Sequence, residues 1–337
     1  MTVSTEEVQW CYRLLLGREP ESAQVVRQRE ETANRLDLLH SFLDSEEFQK
    51  SNPEYRSVHQ ALNRFEGKPF AVDVQVSPAQ LAELLQKVKA CWTHLGETQP
   101  HWSVMSDEQF RPDHIEASMQ RFWASGNAPV KALKRILDRV GFGDLQNKVC
   151  VEFGCGMGRM SGPLAALFDK VIGYDISASH LQHARARAGE LGIGNLDFQL
   201  VADDPLAPLA RCDVYYSRIV LQHNPPPLIR QLLANAFAAL KPGGIAVFQV
   251  STYLAGYRFE IGEYLGQPED AQNEFEIHCI PQAAVYQLVA EKRCKLLEVH
   301  EDGAAGQPGI CVSNLFVVQK PLGPWSRLRQ KPAVTNR

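Results

Sequence analysis

The spacing of apolar residues divides the chain into a helical beginning and an alternating remainder. Over roughly the first 55 residues, apolar positions recur every three or four residues, the period of an amphipathic helix. This pattern predicts a helix over residues 5–16, starting at the capping-type Thr5 and ended by Gly17. Residues 21–33 and the stretch RLDLLHSFLDSEEFQKS (35–51) are also predicted to be helical, the latter with an apolar stripe of Leu36, Leu39, Phe42 and Leu43.

From residue 128 to 320, short apolar runs alternate with helical patterns. This alternation is typical of a parallel sheet covered by helices. The last two runs are joined directly by the glycine-rich DGAAGQPGICV, so we expect an antiparallel pair at one edge. The predicted strands are 148–153, 170–175, 196–201, 213–218, 245–250, 295–301 and 313–320.

These elements predict an α/β fold, a Rossmann-like, doubly wound, seven-stranded and mostly parallel sheet with an antiparallel edge. A small N-terminal helical domain precedes it. We expect four regions: the helical domain at 1–60, a linker with a helix (79–91) at 61–110, the α/β domain at 111–320, and a flexible tail at 321–337 that is basic and contains three prolines.

The first predicted strand runs into a glycine-rich turn, VCVEFGCGMGRMSG (149–162). Such a turn brings backbone amides close to a ligand, because a side chain there would collide with it. A dinucleotide site needs G-x-G-x-x-G, and neither register here places a glycine at the sixth position. The turn instead reads acid-x-G-x-G-x-G. Taken alone, it could also be a plain connection between strand and helix.

An acid follows the second predicted strand. VIGYDIS ends that strand with Asp175, which lies 21 positions after Gly154. An acid about 20 residues beyond the turn can accept hydrogen bonds from ribose hydroxyls. The sequence therefore predicts a ligand with a ribose and no pyrophosphate. The third strand ends in VADD, which places Asp203 and Asp204 at the carboxyl edge, where ligands of open α/β sheets bind.

With the predicted turn LKPGG (240–244) before the fifth strand, these motifs resemble class I S-adenosylmethionine-dependent methyltransferases across the α/β region. The resemblance implies S-adenosyl-L-methionine as the cofactor and a methyltransferase domain at 111–320. It implies that Gly154, Gly156 and Gly158 wrap the methionine and ribose part of the cofactor, and that Glu152 steadies the turn or the methionine end.

The same resemblance assigns the other end of the cofactor. It implies that Asp175 binds the ribose hydroxyls and that Ile176 packs on the adenine. Asp203 would be the partner of the adenine amino group. Asp204 could take this role instead, because adjacent acids leave the register open by one.

A methyl acceptor with a hydroxyl group loses a proton during transfer, so a positioned base would assist the reaction. His223, in LQHNPPP, follows the fourth strand at the carboxyl edge and precedes a rigid proline run, where similar families place acceptor-facing residues. His278, in EIHCIPQ, is the second candidate, beyond an insertion (253–275) of the kind that binds acceptors in similar enzymes. Both histidines could instead be structural. Within the insertion, Tyr253 and Arg258 could contact an acceptor or anchor the insertion.

Two aromatic pairs, His101-Trp102 and Phe122-Trp123, precede the sheet. In similar enzymes, the segment before the first strand covers the cofactor as a lid that excludes water. Packing of these aromatic rings in the core is the alternative, and neither pair is assigned chemistry.

The N-terminal helices resemble a small helical domain of unknown function, through Y-x-x-L-L-G-R-x-P at Tyr12–Pro20 and F-L-x-S-x-E-F at Phe42–Phe48. That family is often attached to glycosyltransferases and methyltransferases of bacterial surface polysaccharide pathways. The resemblance implies O-methylation of a sugar hydroxyl in a glycan or glycoconjugate. The alternatives are another small acceptor (phenol, carboxylate or amine) and a catalytically silent cofactor-binding scaffold. The helical domain itself would dock the catalytic domain or mediate homo-oligomerisation.

The charge and composition of the chain limit the classes of partner that we expect. The net charge of -4 gives no general attraction for nucleic acid or anionic membranes, so a small-molecule or glycan acceptor fits better. No apolar run approaches the roughly 18 residues of an integral membrane segment, and the N-terminus lacks a signal-peptide pattern, so we expect a cytoplasmic protein. The eight cysteines form no C-x-x-C pair and no acid spacing demands a metal, so reduced thiols and no metal are expected.

Overall fold

The computed structural model describes residues 3–52, 71–267, 275–303 and 311–323. The chain forms two compact units, one of Met1–Pro69 with Gly306–Cys311 and the other of Phe70–Ala305 with Val312–Arg337. Most of the predicted flexible tail lies outside the described residues, as does the part of the predicted linker before residue 71. The predicted domain boundaries stay predictions.

The described part of the first unit is helical. The first helix is capped by Ser4 rather than by the predicted Thr5, because Ser4 accepts the N–H of Glu7 while the Glu7 carboxylate accepts the N–H of Ser4. The stretch 35–51 divides into two helices because Ser45 caps a new one. The helices are α1 (Thr5–Leu15), α2 (Ala23–Glu30), α3 (Arg35–Leu43) and α4 (Glu46–Ser51).

The core of this unit centres on Tyr12 and Phe42, whose rings meet edge to face with centroids 4.8 Å apart. The predicted apolar stripe on α3 is wrong at two positions, since Leu36 and Leu39 are 59% and 38% exposed. Leu38 is buried instead, because it lies four residues from Phe42 and so shares its face of the helix.

A seven-stranded sheet forms the centre of the second unit, in the order β3-β2-β1-β4-β5-β7-β6. Strands β1 to β5 pair in parallel, and β6 pairs with β7 in antiparallel orientation. This confirms the predicted fold class. The strands are β1 (Val149–Phe153), β2 (Lys170–Asp175), β3 (Leu196–Leu200), β4 (Cys212–Ser217), β5 (Leu240–Leu254), β6 (Lys295–Asp302) and β7 (Cys311–Gln319).

Helices cover both faces of the sheet, and successive side chains along a strand belong alternately to the two cores. On β5, for example, Phe248 and Val250 belong to one core, and Val247 belongs to the other. Residues of the helices at 78–98, 226–239 and 282–291 contribute to the first core, and those of the helices at 127–139 and 161–165 contribute to the second. The helices are α5 (Pro78–Thr98), α6 (Pro100–Val104), α7 (Ile115–Ala124), α8 (Asn127–Arg139), α9 (Ser161–Ala165), α10 (Ala178–Glu190), α11 (Pro226–Ala239), α12 (Ile261–Leu265) and α13 (Gln282–Glu291).

Two elements differ from their predicted bounds. Helix α5 extends from 78 to 98, and a capping box between Ser77 and Gln80 fixes its start. The predicted LKPGG turn lies within β5, where pairing with β4 shifts register between Cys212 and Val214. In the part of the chain that the structure describes, no helix is long and apolar enough to cross a membrane, and no group of three or more His, Cys, Asp or Glu residues could hold a metal ion.

Candidate cofactor and acceptor site

The strand order reverses between β1 and β4, and open α/β sheets bind ligands outside the carboxyl ends of the strands at such a point. The glycine turn follows β1 directly. Its three glycines, Gly154, Gly156 and Gly158, have φ of 76°, 52° and 81°, a region that other residues rarely adopt. A Cβ on Gly154 would also lie 2.3 Å from the Val220 side chain in the loop after β4. The turn therefore requires glycine for both conformation and space.

Asp175, at the end of β2, bonds the turn directly. One carboxylate oxygen accepts the N–H of Gly156 at 2.7 Å, and the other accepts the N–H of Ser177 at 2.9 Å. Asp175 is 8% exposed, and His180 Nδ1 lies 3.6 Å from it. Each carboxylate oxygen can accept more than one hydrogen bond, so acceptor capacity remains for ribose hydroxyls.

Glu152, on β1 beneath the turn, is almost completely buried. Its Oε2 accepts the Ser161 hydroxyl, whereas Oε1 has no partner among the described residues. Burial raises the pKa of Glu152 to about 8, although Arg159 nearby acts in the opposite direction. An unpartnered buried oxygen below the glycines fits the predicted role of Glu152, which is to accept a hydrogen bond from the methionine end of the cofactor or to steady the turn.

The predicted adenine residues are less enclosed. Ile176 is half-buried and packs against the core. Asp203 is exposed and forms an ion pair with Lys89 of α5, and its pKa is lowered chiefly by that hydrogen bond. Asp204 is also exposed, and its carboxylate accepts the N–H of Leu206 within its own loop. Asp203 therefore contacts helix α5, whereas the Asp204 carboxylate contacts its own loop.

His223 lies in a short 3-10 turn after β4. Its Nδ1 lies 2.9 Å from the carbonyl oxygen of Glu276, which can only accept, so Nδ1 carries the proton and Nε2 is the basic nitrogen. The Gln222 amide nitrogen is 3.5 Å from Nε2. Burial lowers the pKa of His223 to about 4, so its imidazole is neutral near pH 7.

His278 uses both ring nitrogens in contacts with protein groups. Nε2 lies 2.8 Å from the Glu276 carboxylate and Nδ1 lies 2.8 Å from the Tyr257 hydroxyl. The Tyr264 hydroxyl donates to the same carboxylate oxygen of Glu276. The hydrogen bond from His278 is the largest effect lowering the pKa of Glu276. His278 is 5% exposed and both of its ring nitrogens contact protein groups, which favours a structural role.

Residues 78–104, comprising α5 and α6, cover the carboxyl edge, and we call this segment the strap. Ser103 contacts the buried His180 at 2.9 Å, and Val104 packs on Gly156. The Ser179 hydroxyl donates to the carbonyl of Gly96 at 2.8 Å. The sequence pattern predicts a helix at 79–91 but places it in a linker, so it does not predict these contacts. Gly96 inside the helix was an available signal, since glycine there is unfavourable without a packing reason.

The strap also contributes to an aromatic wall beside His223. The ring centroids of Trp92 and His223 are 5.2 Å apart, and those of Trp92 and Phe275 are 6.1 Å apart in a stacked arrangement. Trp102 is 5.5 Å from Phe275. A cavity of about 20 Å³ is lined by Trp92, His223 and Phe275, and also by Lys87, Cys91 and Glu276.

The other predicted contacts fall elsewhere. Phe122 is buried and meets the rings of His101 and Trp123, so this aromatic group packs as core. Arg258 forms an ion pair with Glu263 inside the insertion, which fits an anchoring role. Tyr253 lies near the end of β5.

Comparison with known proteins agrees with this geometry. Residues 150–244 match a family described as "Methyltransferase domain". The match covers the glycine turn, Asp175 and the loop after β4. It confirms the prediction of a methyltransferase domain in this region, and S-adenosylmethionine is the cofactor of such domains. The N-terminal helices lie outside it.

Curated relatives share this region. A protein named ubiquinone biosynthesis O-methyltransferase from Paramagnetospirillum magneticum is 27% identical over 169 residues, 50% of this chain and 61% of the relative. One of the same name from Burkholderia cenocepacia is 30% identical over 155 residues, 43% of this chain and 66% of the relative. The chain thus spans about three fifths of the length of the first of these relatives. Among solved structures, magnesium protoporphyrin IX methyltransferase from Synechocystis with bound cofactor is 15% identical, with a TM-score of 0.47, covering 69% of this chain and 97% of that one.

Proposed function

We propose that the protein transfers a methyl group from S-adenosylmethionine to a hydroxyl oxygen of a small acceptor. The observation that supports this most is the bond between the Gly156 N–H and the Asp175 carboxylate, because it joins the glycine turn and the ribose-type acid into one site. When bound, the cofactor supplies a methyl on a sulfonium, which an acceptor oxygen attacks in line as the sulfur leaves as a thioether.

The residues of the chain then have two tasks. Those of the turn and the strap hold the donor and exclude water, and alignment of this kind can supply roughly 7–11 kcal/mol of the barrier. His223 takes the hydroxyl proton on Nε2, since its other ring nitrogen is held by the Glu276 carbonyl. His278 supports this arrangement, because its backbone N–H donates to the backbone carbonyl of Gln222, next to His223.

A phenolic hydroxyl is the acceptor we propose first. The relatives are named for O-methylation in ubiquinone biosynthesis, and the low pKa of His223 suits an acidic hydroxyl better than an alkyl one. The aromatic wall of Trp92 and Phe275 stands beside His223, where the ring of a phenol would need packing partners.

A sugar hydroxyl is the second candidate. It is favoured by the N-terminal pattern, whose residues Tyr12 and Phe42 form the core of the first unit and so explain why that pattern needs aromatic residues there. Aromatic side chains can also pack on the apolar face of a sugar ring.

Transfer of radiolabel from the methyl group of S-adenosylmethionine tests these proposals, with phenols, catechols, sugar nucleotides and glycans as acceptors. Label in a phenol supports the first candidate, and label only in carbohydrate supports the second. Cofactor binding by calorimetry without transfer to any acceptor would indicate a silent scaffold and refute the proposed activity.

A further inference from the structure

The loop after β4, residues 218–223, holds an unfavourable backbone conformation. Ile219 has φ of +55°, and a β-branched side chain is a clear outlier in this region. Such conformations persist only where the surrounding structure enforces them, and they occur often at functional sites. Ile219 is 39% exposed, so packing of its side chain does not provide that enforcement.

A side chain of β5 holds this residue. The Ile219 N–H donates to the Gln249 carbonyl oxygen at 2.8 Å. A backbone N–H can only donate, so this contact fixes which end of the Gln249 amide faces the loop. Gln249 is completely buried between the apolar residues Phe248 and Val250 of β5.

The other end of the same amide is fixed as well. Its nitrogen donates to the Gln222 side-chain oxygen at 2.9 Å and to the Ser313 hydroxyl on β7 at 2.7 Å. Ser313 in turn donates to Asp302 at 2.6 Å, and Asp302 accepts from Arg218. Both amide N–H groups of Gln249 are therefore used. These hydrogen bonds connect Gln249 to Gln222 near the end of the loop and, through Ser313 and Asp302, to Arg218 at its start.

The loop joins the two halves of the candidate site. Val220 packs against Gly154 of the glycine turn, and His223 stands at the acceptor side. A change in the loop would move both contacts together.

We propose that Gln249 is a positioning residue that holds loop 218–223 in its strained conformation and so aligns the glycine turn with His223. Its effect on catalysis rests on the proposed methyl transfer, whereas its effect on the loop does not.

The test compares Gln249→Met, Ile219→Gly and the double variant by hydrogen exchange of the peptide spanning the loop, by calorimetry with S-adenosylhomocysteine and by turnover. Gln249→Met should exchange at least tenfold faster in the loop, bind the ligand at least threefold more weakly and lower kcat. In the Ile219→Gly background, the same substitution should have an effect on exchange at least threefold smaller, because glycine adopts positive φ without strain. Equal effects in both backgrounds, or no effect, would overturn the proposal.

Ser251→Ala is the matched control. Ser251 lies two residues further along the same strand, is buried, and its hydroxyl has no partner within the described residues. It should leave loop exchange unchanged, and a loss equal to that of Gln249→Met would indicate a general effect of the strand and refute a specific role.

If Gln249→Met does not fold, the unmodified protein still decides. The Ile219 amide should exchange at least a hundredfold more slowly than in an unstructured peptide, and exchange at the peptide rate would refute the bond. If hydrogen exchange and S-adenosylhomocysteine binding give the results expected above but no acceptor is methylated, the proposed function is rejected and the role of Gln249 in the loop stands.

Discussion

Replacing Asp175 by asparagine should separate the cofactor role of this residue from its size. The carboxylate serves two backbone donors, the N–H groups of Gly156 and Ser177, one on each oxygen. Asparagine keeps the shape but offers one oxygen, so its amide nitrogen must face a backbone N–H. The substitution therefore sets donor against donor in a buried place.

The expected magnitude follows from these two contacts. A hydrogen bond to a charged group contributes about 1.5–3 kcal/mol, and an unsatisfied buried donor costs about 1–3 kcal/mol. We expect the free energy of unfolding of Asp175→Asn to fall by about 2–4 kcal/mol. If ribose hydroxyls also bind this carboxylate, the cofactor Kd should rise roughly 10–100-fold, since every 1.4 kcal/mol is tenfold.

Urea unfolding and titration calorimetry with the cofactor measure the two effects. Asp197→Asn is the control, because it makes the same chemical change on the neighbouring β3, where the carboxylate accepts from the Gln199 side chain. It should change stability by no more than about 0.5 kcal/mol. A folded Asp175→Asn protein whose cofactor Kd stays within about threefold of the original would refute the ribose assignment.

Three further substitutions test other parts of the site. His223→Gln should lower kcat at least tenfold with cofactor affinity unchanged, as loss of a base predicts, and an unchanged kcat would exclude it as the base. The pKa of Glu152 is raised, so the folded protein holds this proton more tightly and stability falls as pH rises towards 8. Glu152→Gln should remove about 2 kcal/mol of stability change between pH 6.5 and 8, and an identical slope in urea titrations would contradict this. In Gly96→Ala the added methyl group would lie 2.2 Å from a side-chain oxygen, whereas in Gly189→Ala it would meet open space. Thermal unfolding should therefore show that Gly96→Ala is less stable than the original protein and that Gly189→Ala is more stable by up to about 1 kcal/mol.

Much of the sheet could be predicted because its strands bury both faces. Such strands appear as continuous apolar runs, and β2 has the predicted bounds of 170–175. The turn and Asp175 could be predicted for a related reason, since their spacing is set by the length of one strand-helix-strand unit. Local pattern and topology determine these features together.

The strap and the Gln249 contacts could not be predicted in the same way. Ser103 and His180 are 77 positions apart, and the contact depends on how a helix outside the βα repeat packs on the sheet. Only single-residue signals existed: Gly96 inside a helix, and a glutamine in the apolar run IAVFQV. Each indicates a specific partner, but neither identifies it.

If His223 is the base, the acidity of the acceptor hydroxyl separates the two proposed acceptors. With a pKa of about 4, its imidazole accepts a proton from a phenol of pKa about 10 at a cost of about 8 kcal/mol, given 1.36 kcal/mol per unit. For an alkyl hydroxyl with a pKa near that of water, about 15.7, the same transfer costs about 16 kcal/mol. If His223 is the base, a phenol is therefore the acceptor that it deprotonates more easily, and a sugar hydroxyl is the harder one. If a phenol is methylated, kcat should depend on the acidity of its hydroxyl, and a series of substituted phenols would show that dependence weaken in His223→Gln.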